Sequence, residues 1–361
     1  MIAPRLQPPA PGAAPGARHP ARSRFALLVT LALACALAAC GGRATTKPAG
    51  ASPEPGSGGR GPGTLIYTRQ AGIYAFDLAS TREQALIPQP TPDTFLLDPA
   101  VSPDGTKIAY VVQPPPVVKD GVYDASSDLW VANRDGSGAR VLFTHAVPRQ
   151  LVRFPQWLDA QHVLAVVQEP AETQGTTTVE YVLEQIDVAS GARERRITGV
   201  LSFGVSPDRA RIAWAQLPKQ TGESLTASAP DGSGTTTLIG PEQDLAPFNS
   251  PRYSPDGTMI AFASADQTGA RAPFRYVSFR GDPAPEADGL PEDIWTIPAE
   301  GGAARRVADL KEDLPTLTWG ADSRHIYVLG ANALSDVDLS TGAVTRLGEG
   351  SFHGGITWAP S

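Results

Sequence analysis

The chain has 361 residues, a formal net charge of −7, 36 Gly, 35 Pro and only 7% aromatic residues. Length alone would suggest two domains, but abundant Gly and Pro suit many short strands and turns better than long helices. An acidic surface repels phosphate backbones, so no nucleic-acid partner is expected.

In chain order, the first element is an address. Arg18, Arg22 and Arg24 precede an uninterrupted apolar run from Phe25 to Ala39. Basic residues, an apolar core and then small residues read as a secretory signal, and the run is short for a membrane span of about 20 residues. Leu37-Ala38-Ala39-Cys40 resembles the bacterial lipobox. That resemblance implies cleavage before Cys40 and diacylation of its thiol, with the mature protein exported and lipid-anchored at the extracytoplasmic face of a bacterial membrane. The alternative is an ordinary signal cut after Ala39. Lipid chains hold a protein at a membrane because each buried CH₂ contributes about 0.8 kcal/mol. Cys35 would leave with the signal, so beyond Cys40 no disulfide or thiolate metal site can form. No His-x-x-x-His spacing occurs either. No metal or cofactor is expected. Residues 40–63 are rich in Gly, Pro, Ala, Ser and Thr, cannot bury a core, and read as a disordered tether.

Residues 64–361 repeat. Val101-Ser-Pro-Asp-Gly-Thr-Lys-Ile-Ala-Tyr110 returns as Val205-Ser-Pro-Asp-Arg-Ala-Arg-Ile-Ala-Trp214 and Tyr253-Ser-Pro-Asp-Gly-Thr-Met-Ile-Ala-Phe262. Degenerate copies start at Trp157 and Trp319, and a truncated one at Trp358. Pro presets a turn, Asp can accept from nearby backbone N–H groups and Gly takes positive φ, so the phrase reads as strand, tight turn, strand. After each complete copy come a third strand, a Gly-containing turn and a short fourth strand. Asp128–Gly138 with Ala139–Phe143 is one example. Four strands per repeat make a propeller blade. The phrases resemble the TolB-type, WD-like propeller repeat, which implies an all-β fold.

Counting gives five complete units, beginning near Leu97, Arg153, Leu201, Pro251 and Leu317. Thr64–Thr68, Gly72–Leu78 and Gln84–Ile87 form a blade lacking its first strand, and Gly355–Trp358 is a first strand with nothing after it. Together they make the sixth blade of a propeller closed by pairing of its N- and C-terminal strands, which leaves no open edge. A β-sandwich or β-helix is the competing architecture.

Most conspicuous repeat residues read as framework. Trp157, Tyr253, Trp319 and Trp358 share one position and are expected to pack between blades rather than stack on a ligand. Asp104, Asp208, Asp256 and Asp322 are turn carboxylates, and His162 and His325 begin second strands. No Gly-x-Ser-x-Gly elbow and no Gly-x-x-x-x-Gly-Lys loop is present, so a non-catalytic protein is expected. Gln113–Ser127, Gln168–Thr178 and Asp266–Pro291 all join second to third strands and should cluster on one face as long loops, the usual place for binding. The longest holds Arg271, Phe274, Arg275, Tyr276, Phe279 and Arg280, residue types suited to a partner surface, unless they fold onto their own propeller. Tyr123 lies in another of these loops. Asp98, Arg153 and His353 fall near the starts of first strands, at the channel mouth. The preferred function is a binding scaffold for an envelope protein, peptide or polymer. The alternatives are a small-ligand sensor or accessory subunit using the channel, and a propeller enzyme of lyase or lactonase type.

Overall fold

The computed structural model describes residues 61–69, 72–119, 121–173, 176–217, 222–268 and 291–361. The signal, Cys40 and nearly all of the tether lie outside the described residues, as do residues 269–290. Among the described residues, apart from one short 3-10 turn at Pro241–Gln243, every regular element is a strand. Among the described residues no helix is long and apolar enough to cross a membrane.

The strands fall into six four-stranded antiparallel sheets. The first three, β1 (Thr64–Arg69), β2 (Gly72–Asp77) and β3 (Arg82–Pro88), belong to the blade that closes the ring. Blade 1 is β4 (Phe95–Val101), β5 (Lys107–Gln113), β8 (Asp128–Asn133) and β9 (Arg140–Phe143), with a small ribbon of β6 (Val117–Lys119) and β7 (Val122–Asp124) inserted. Blade 2 is β10 (Leu151–Trp157), β11 (His162–Thr173), β12 (Thr176–Asp187) and β13 (Arg193–Thr198). Blade 3 is β14 (Val200–Val205), β15 (Ile212–Gln216), β16 (Ser224–Ser228) and β17 (Thr236–Ile239). Blade 4 is β18 (Asn249–Tyr253), β19 (Met259–Ser264), β20 (Glu292–Pro298) and β21 (Arg305–Glu312). Blade 5 is β22 (Thr316–Trp319), β23 (His325–Leu329), β24 (Ala333–Asp338) and β25 (Ala343–Glu349). β26 (Phe352–Ala359) then pairs with β1, Leu65 opposite Trp358 and Tyr67 opposite Ile356, and completes blade 6. The fold is an all-β, six-bladed propeller closed by its two terminal strands.

The apolar core is not one mass but six layers, one between each pair of neighbouring blades. Val111 and Leu129 of blade 1 meet Val152 and Trp157 of blade 2. Leu164 and Leu183 meet Phe203 and Trp214 across blades 2 and 3, and Leu225 meets Phe248 and Phe262 across blades 3 and 4. Blades 4 and 5 join through Ile294 and Trp319. Blade 6 is held on both sides, by Leu65 and Tyr67 against Tyr327 and Leu329, and by Ile66 and Ile73 against Ile108 and Tyr110. Each blade therefore depends on two neighbours, and the ring is stable only when closed.

The repeat phrase builds its turn as the residue types require. Ser102 Oγ donates to Asp104 Oδ1 at 2.6 Å, and the same oxygen accepts from Thr106 N at 3.1 Å. Ser206–Asp208 and Ser254–Asp256 repeat the bond at 2.6 Å. These donors hold Asp104, Asp208 and Asp256 below the usual carboxylate range. The aromatic before the turn joins blades: Trp157 Nε1 donates to Ala100 O at 3.0 Å, and Trp319 Nε1 to Arg252 O at 2.9 Å. His325 is buried and bonds Asp336 through Nδ1 at 2.7 Å, a framework contact.

Two features depart from the sequence expectations. Gln168–Thr178 is not an irregular loop, because β11 and β12 run on as a continuous ladder with Pro170 opposite Val179 and Ala171 opposite Thr178. Thr176, Thr177, Thr178 and Val179 are β-branched and suit an extended ribbon. The first strands are also not straight. Asp98, Phe154 and Ser250 have φ of 51°, 55° and 50°, each lies directly before a proline, and register slips beside each of them in the ladder. A non-Gly residue in this region is strained, the more so before proline. The slips are β-bulges, which bend the inner strands at the same level in three blades.

Candidate functional site: the long-loop face and the channel

In every blade the first-to-second and third-to-fourth turns lie at one end of the sheet. The second-to-third connections and the crossings to the next blade lie at the other. The added material among the described residues is at this second end: the β6–β7 ribbon and the outer half of the β11–β12 hairpin. Residues 269–290, between β19 and β20, lie outside the described residues. Exposed large apolar side chains follow the same division. Phe95, Val117, Val118, Val122, Val147, Val179 and Leu314 all lie at the long-loop end. The other two described examples, Val141 and Val344, sit on outermost strands. Val118 is 71% exposed. Tyr123 is half-buried on β7 beside these valines, its backbone carbonyl accepting from Arg149 Nε at 3.0 Å. Arg271, Phe274, Arg275, Tyr276, Phe279 and Arg280 lie outside the described residues.

The inner strands β4, β10, β14, β18, β22 and β26 follow one another around the ring and line the channel. At its long-loop end Asp98 and Arg153 come together: Asp98 Oδ2 accepts from Arg153 Nε at 2.7 Å and from Phe154 N at 3.1 Å. Asp98 Oδ1 is buried with no hydrogen-bond partner among the described residues. His353 does not join them; its ring meets Phe95 edge-on at 5.8 Å.

One layer deeper, each blade contributes the residue preceding the repeat aromatic or its equivalent: Ala100, Gln156, Gly204, Arg252, Thr318 and Thr357. Only Gln156 and Arg252 are long. Gln156 Nε2 donates to Phe203 O at 2.6 Å. Arg252 Nη1 donates to Phe203 O and Pro251 O, both at 2.8 Å. Gly204 has no alternative here, since a Cβ would stand 2.1 Å from the Pro251 carbonyl oxygen. Burial pushes the Arg252 guanidinium down to about 10, opposed by the negative charge of Asp98 from the blade across the channel. Arg252 nevertheless remains partly open to solvent. Enclosure by protein together with contact to solvent is what an internal channel imposes on a side chain that lines it.

Two further acids went unnoticed in the sequence. Glu223, just before β16, and Glu292, at the start of β20, are 5% and 1% exposed. Glu223 Oε1 accepts from Phe248 N at 2.7 Å, and Glu292 Oε1 from Asn249 Nδ2 at 2.7 Å. Burial pushes Glu223 up to about 8, against the Phe248 N–H. Burial likewise pushes Glu292 up to about 8; the Asn249 bond opposes this, and Glu223 and Asp313 add repulsion. Both carboxyls are raised from 4.5, so the folded chain keeps protons that the unfolded chain releases. Their stabilisation is complete below about pH 4.5 and is lost as pH rises through about 8, at up to about 1.4 kcal/mol per pH unit for each group. Urea midpoints should therefore fall from pH about 5 to about 8, and a Glu223→Gln/Glu292→Gln variant should show a flatter profile. Parallel profiles would contradict the buried, protonated pair.

No family model matches the chain, and no curated protein does. Its fold is similar to solved structures. One is a protein assigned as TolB from Agrobacterium tumefaciens, at 16% identity and a TM-score of 0.48, with 81% of this chain and 90% of that one covered. Another is an oligogalacturonate lyase in complex with manganese, at 12% identity, a TM-score of 0.47, and 78% and 72% coverage. A third is a puromycin-hydrolysing peptidase of Mycobacterium tuberculosis, at 13% identity and a TM-score of 0.49; the match covers 79% of this chain but only 45% of the peptidase. At these identities the likeness concerns the fold alone. It also corrects the expectation of a non-catalytic protein, because a lyase and a peptidase are among the similar chains. A propeller can draw channel residues from blades far apart in sequence, so the lack of a contiguous motif does not exclude catalysis.

Proposed function

We propose that this chain is an exported, membrane-tethered propeller that receives a protein, peptide or envelope polymer on its long-loop face. The observation that carries this is the placement of exposed apolar side chains: those outside the edge strands all lie at the long-loop end, and the short-turn end has none among the described residues. Water-exposed valines on a projecting ribbon are unfavourable unless covered. The insert with Arg271, Phe274, Arg275, Tyr276, Phe279 and Arg280 leaves and returns at this same end, and its aromatic and arginine content suits an interface. Val118→Glu with Val122→Glu should leave the melting temperature unchanged and weaken partner capture from membranes at least about tenfold, a loss of about 1.4 kcal/mol. Undiminished capture would move the interface elsewhere.

The tether is the second part of the proposal, and it rests on Leu37-Ala38-Ala39-Cys40. Cys40→Ala should release the chain from membranes or leave it unprocessed. A variant still cleaved and still membrane-bound would remove the lipid anchor from the account.

A further inference from the structure

We propose that the channel holds a binding site for a small carboxylate, with Arg252 as its receiving group. The inference is independent of any partner on the long-loop face. The first support is charge. Asp98, Arg153 and Arg252 are the only Asp, Glu, Lys or Arg residues on the six inner strands; the one histidine there, His353, turns its ring to Phe95. Asp98 is engaged by Arg153 at 2.7 Å, which leaves the positive charge of Arg252 in excess in an otherwise acidic protein. The second is hydrogen-bonding capacity. Among the described residues, both hydrogen bonds of the Arg252 guanidinium leave from Nη1. A guanidinium has five N–H donors in a planar fork. The edge formed by Nε and Nη2 therefore keeps two parallel donors, whose spacing fits the two oxygens of one carboxylate.

The third support is space. The layer containing Arg252 is otherwise built from Ala100, Gly204, Thr318 and Thr357, with Gln156 turned to the Phe203 carbonyl. Blade 1 stands opposite blade 4 in a ring of six, so the residue across the channel from Arg252 at its own level is Ala100. None of Ala100, Gly204, Thr318 and Thr357 carries a charge or a side chain long enough to reach the guanidinium across the channel. Two backbone carbonyls hold Nη1 in place, so the fork is ordered before a ligand arrives and little side-chain entropy is lost on binding. Protein surrounds the guanidinium on most sides, which lowers the local dielectric and strengthens a charge-assisted pair relative to one at the open surface.

The test uses the tether-free chain from residue 61 onward only if its melting temperature matches that of the full mature protein, and otherwise the full mature protein. Propionate is titrated at constant ionic strength, with propionamide as the neutral control of the same shape and inorganic phosphate as a second anion. Binding is followed by calorimetry and by the ¹H–¹⁵N signals of the arginine Nε–H groups. Propionate should saturate with a Kd of about 1 mM, within reach of so few atoms. It should shift one arginine signal that is missing in Arg252→Gln, and that variant should bind at least tenfold more weakly. If Arg252→Gln does not fold, Arg252→Lys identifies the signal and should still bind, less tightly. The site is disproved if propionate fails to saturate, if propionamide binds equally well, if only phosphate binds, or if the signal that shifts survives in the Arg252 variant.

Discussion

Deleting Gly354–Ser361 is expected to abolish the cooperative unfolding transition of the propeller. The deletion removes most of β26, including Ile356 and Ala359, which are 3% and 0% exposed. Their loss strips one side of β1, where Leu65 and Tyr67 had paired with Trp358 and Ile356. Buried backbone groups left without partners are costly. Both apolar layers that hold blade 6 are opened at once, the one with Tyr327 and Leu329 and the one with Ile108 and Tyr110. Each large apolar side chain returned to water costs about 1.5–3 kcal/mol, and a whole domain is stable by only about 5–15 kcal/mol. The truncated chain should show no sharp thermal transition by circular dichroism and should aggregate through the exposed β1 edge. A truncated protein melting at the temperature of the intact one would contradict closure by the two termini.

Trp157→Ala is expected to cost at least about 3–5 kcal/mol, the range for deleting a buried large aromatic. The indole is 2% exposed and fills the layer between blades 1 and 2. Its Nε1 also satisfies the Ala100 carbonyl at 3.0 Å, so the alanine variant leaves a cavity and an unpaired acceptor. Trp157→Phe separates the two effects. It keeps most of the ring and loses the hydrogen bond, which predicts a smaller loss of about 1–3 kcal/mol. Chemical denaturation of the three proteins measures both differences. A cost below about 1 kcal/mol for the alanine variant would return the ring to the ligand-stacking role that its burial argues against.

The propeller was legible because its turns are written in side chains with narrow conformational preferences. Ser102, Pro103, Asp104 and Gly105 specify a turn through their own hydrogen bonds, and that turn places a strand on either side. Once those strands were counted, the odd three at the start and the odd one at the end had a single arrangement in which neither left an edge. The bulges were not legible. Asp98, Phe154 and Ser250 adopt a conformation that local preference opposes, and only packing of the ring imposes it. Their shared signal, a residue before proline three or four positions ahead of the turn, was visible but has no turn chemistry of its own. The ribbon at Gln168–Thr178 was missed for the opposite reason: it was read as a long join between second and third strands, whereas the cross-strand pairing of Glu169 with Glu180 and Ala171 with Thr178 continues the ladder through it.

The candidate site was less legible than the fold. Asp98 and Arg153 were found because they fall at strand starts, and they do meet. Arg252 was passed over beside the more conspicuous Tyr253, although aligning the repeats sets it in a column with Ala100, Gln156, Gly204, Thr318 and Thr357, where a lone arginine stands out. Glu223 and Glu292 looked like ordinary solvated acids. Their burial depends on β18 and the crossing segments before it, which no local pattern reveals. The exposed Val117, Val118 and Val122 of the β6–β7 ribbon had the same disguise, since a short apolar run also describes a buried strand.

The most direct measurement is site-specific photo-crosslinking of the full-length protein in its native envelope. The crosslinking residue is placed at Val118 on the long-loop face and, separately, at Ser233 in the β16–β17 turn on the opposite face. Both positions are exposed, so neither substitution should disturb the core. The account predicts a discrete adduct from Val118, lost with Val122→Glu, and none from Ser233. An adduct from Ser233 with none from Val118 would contradict it.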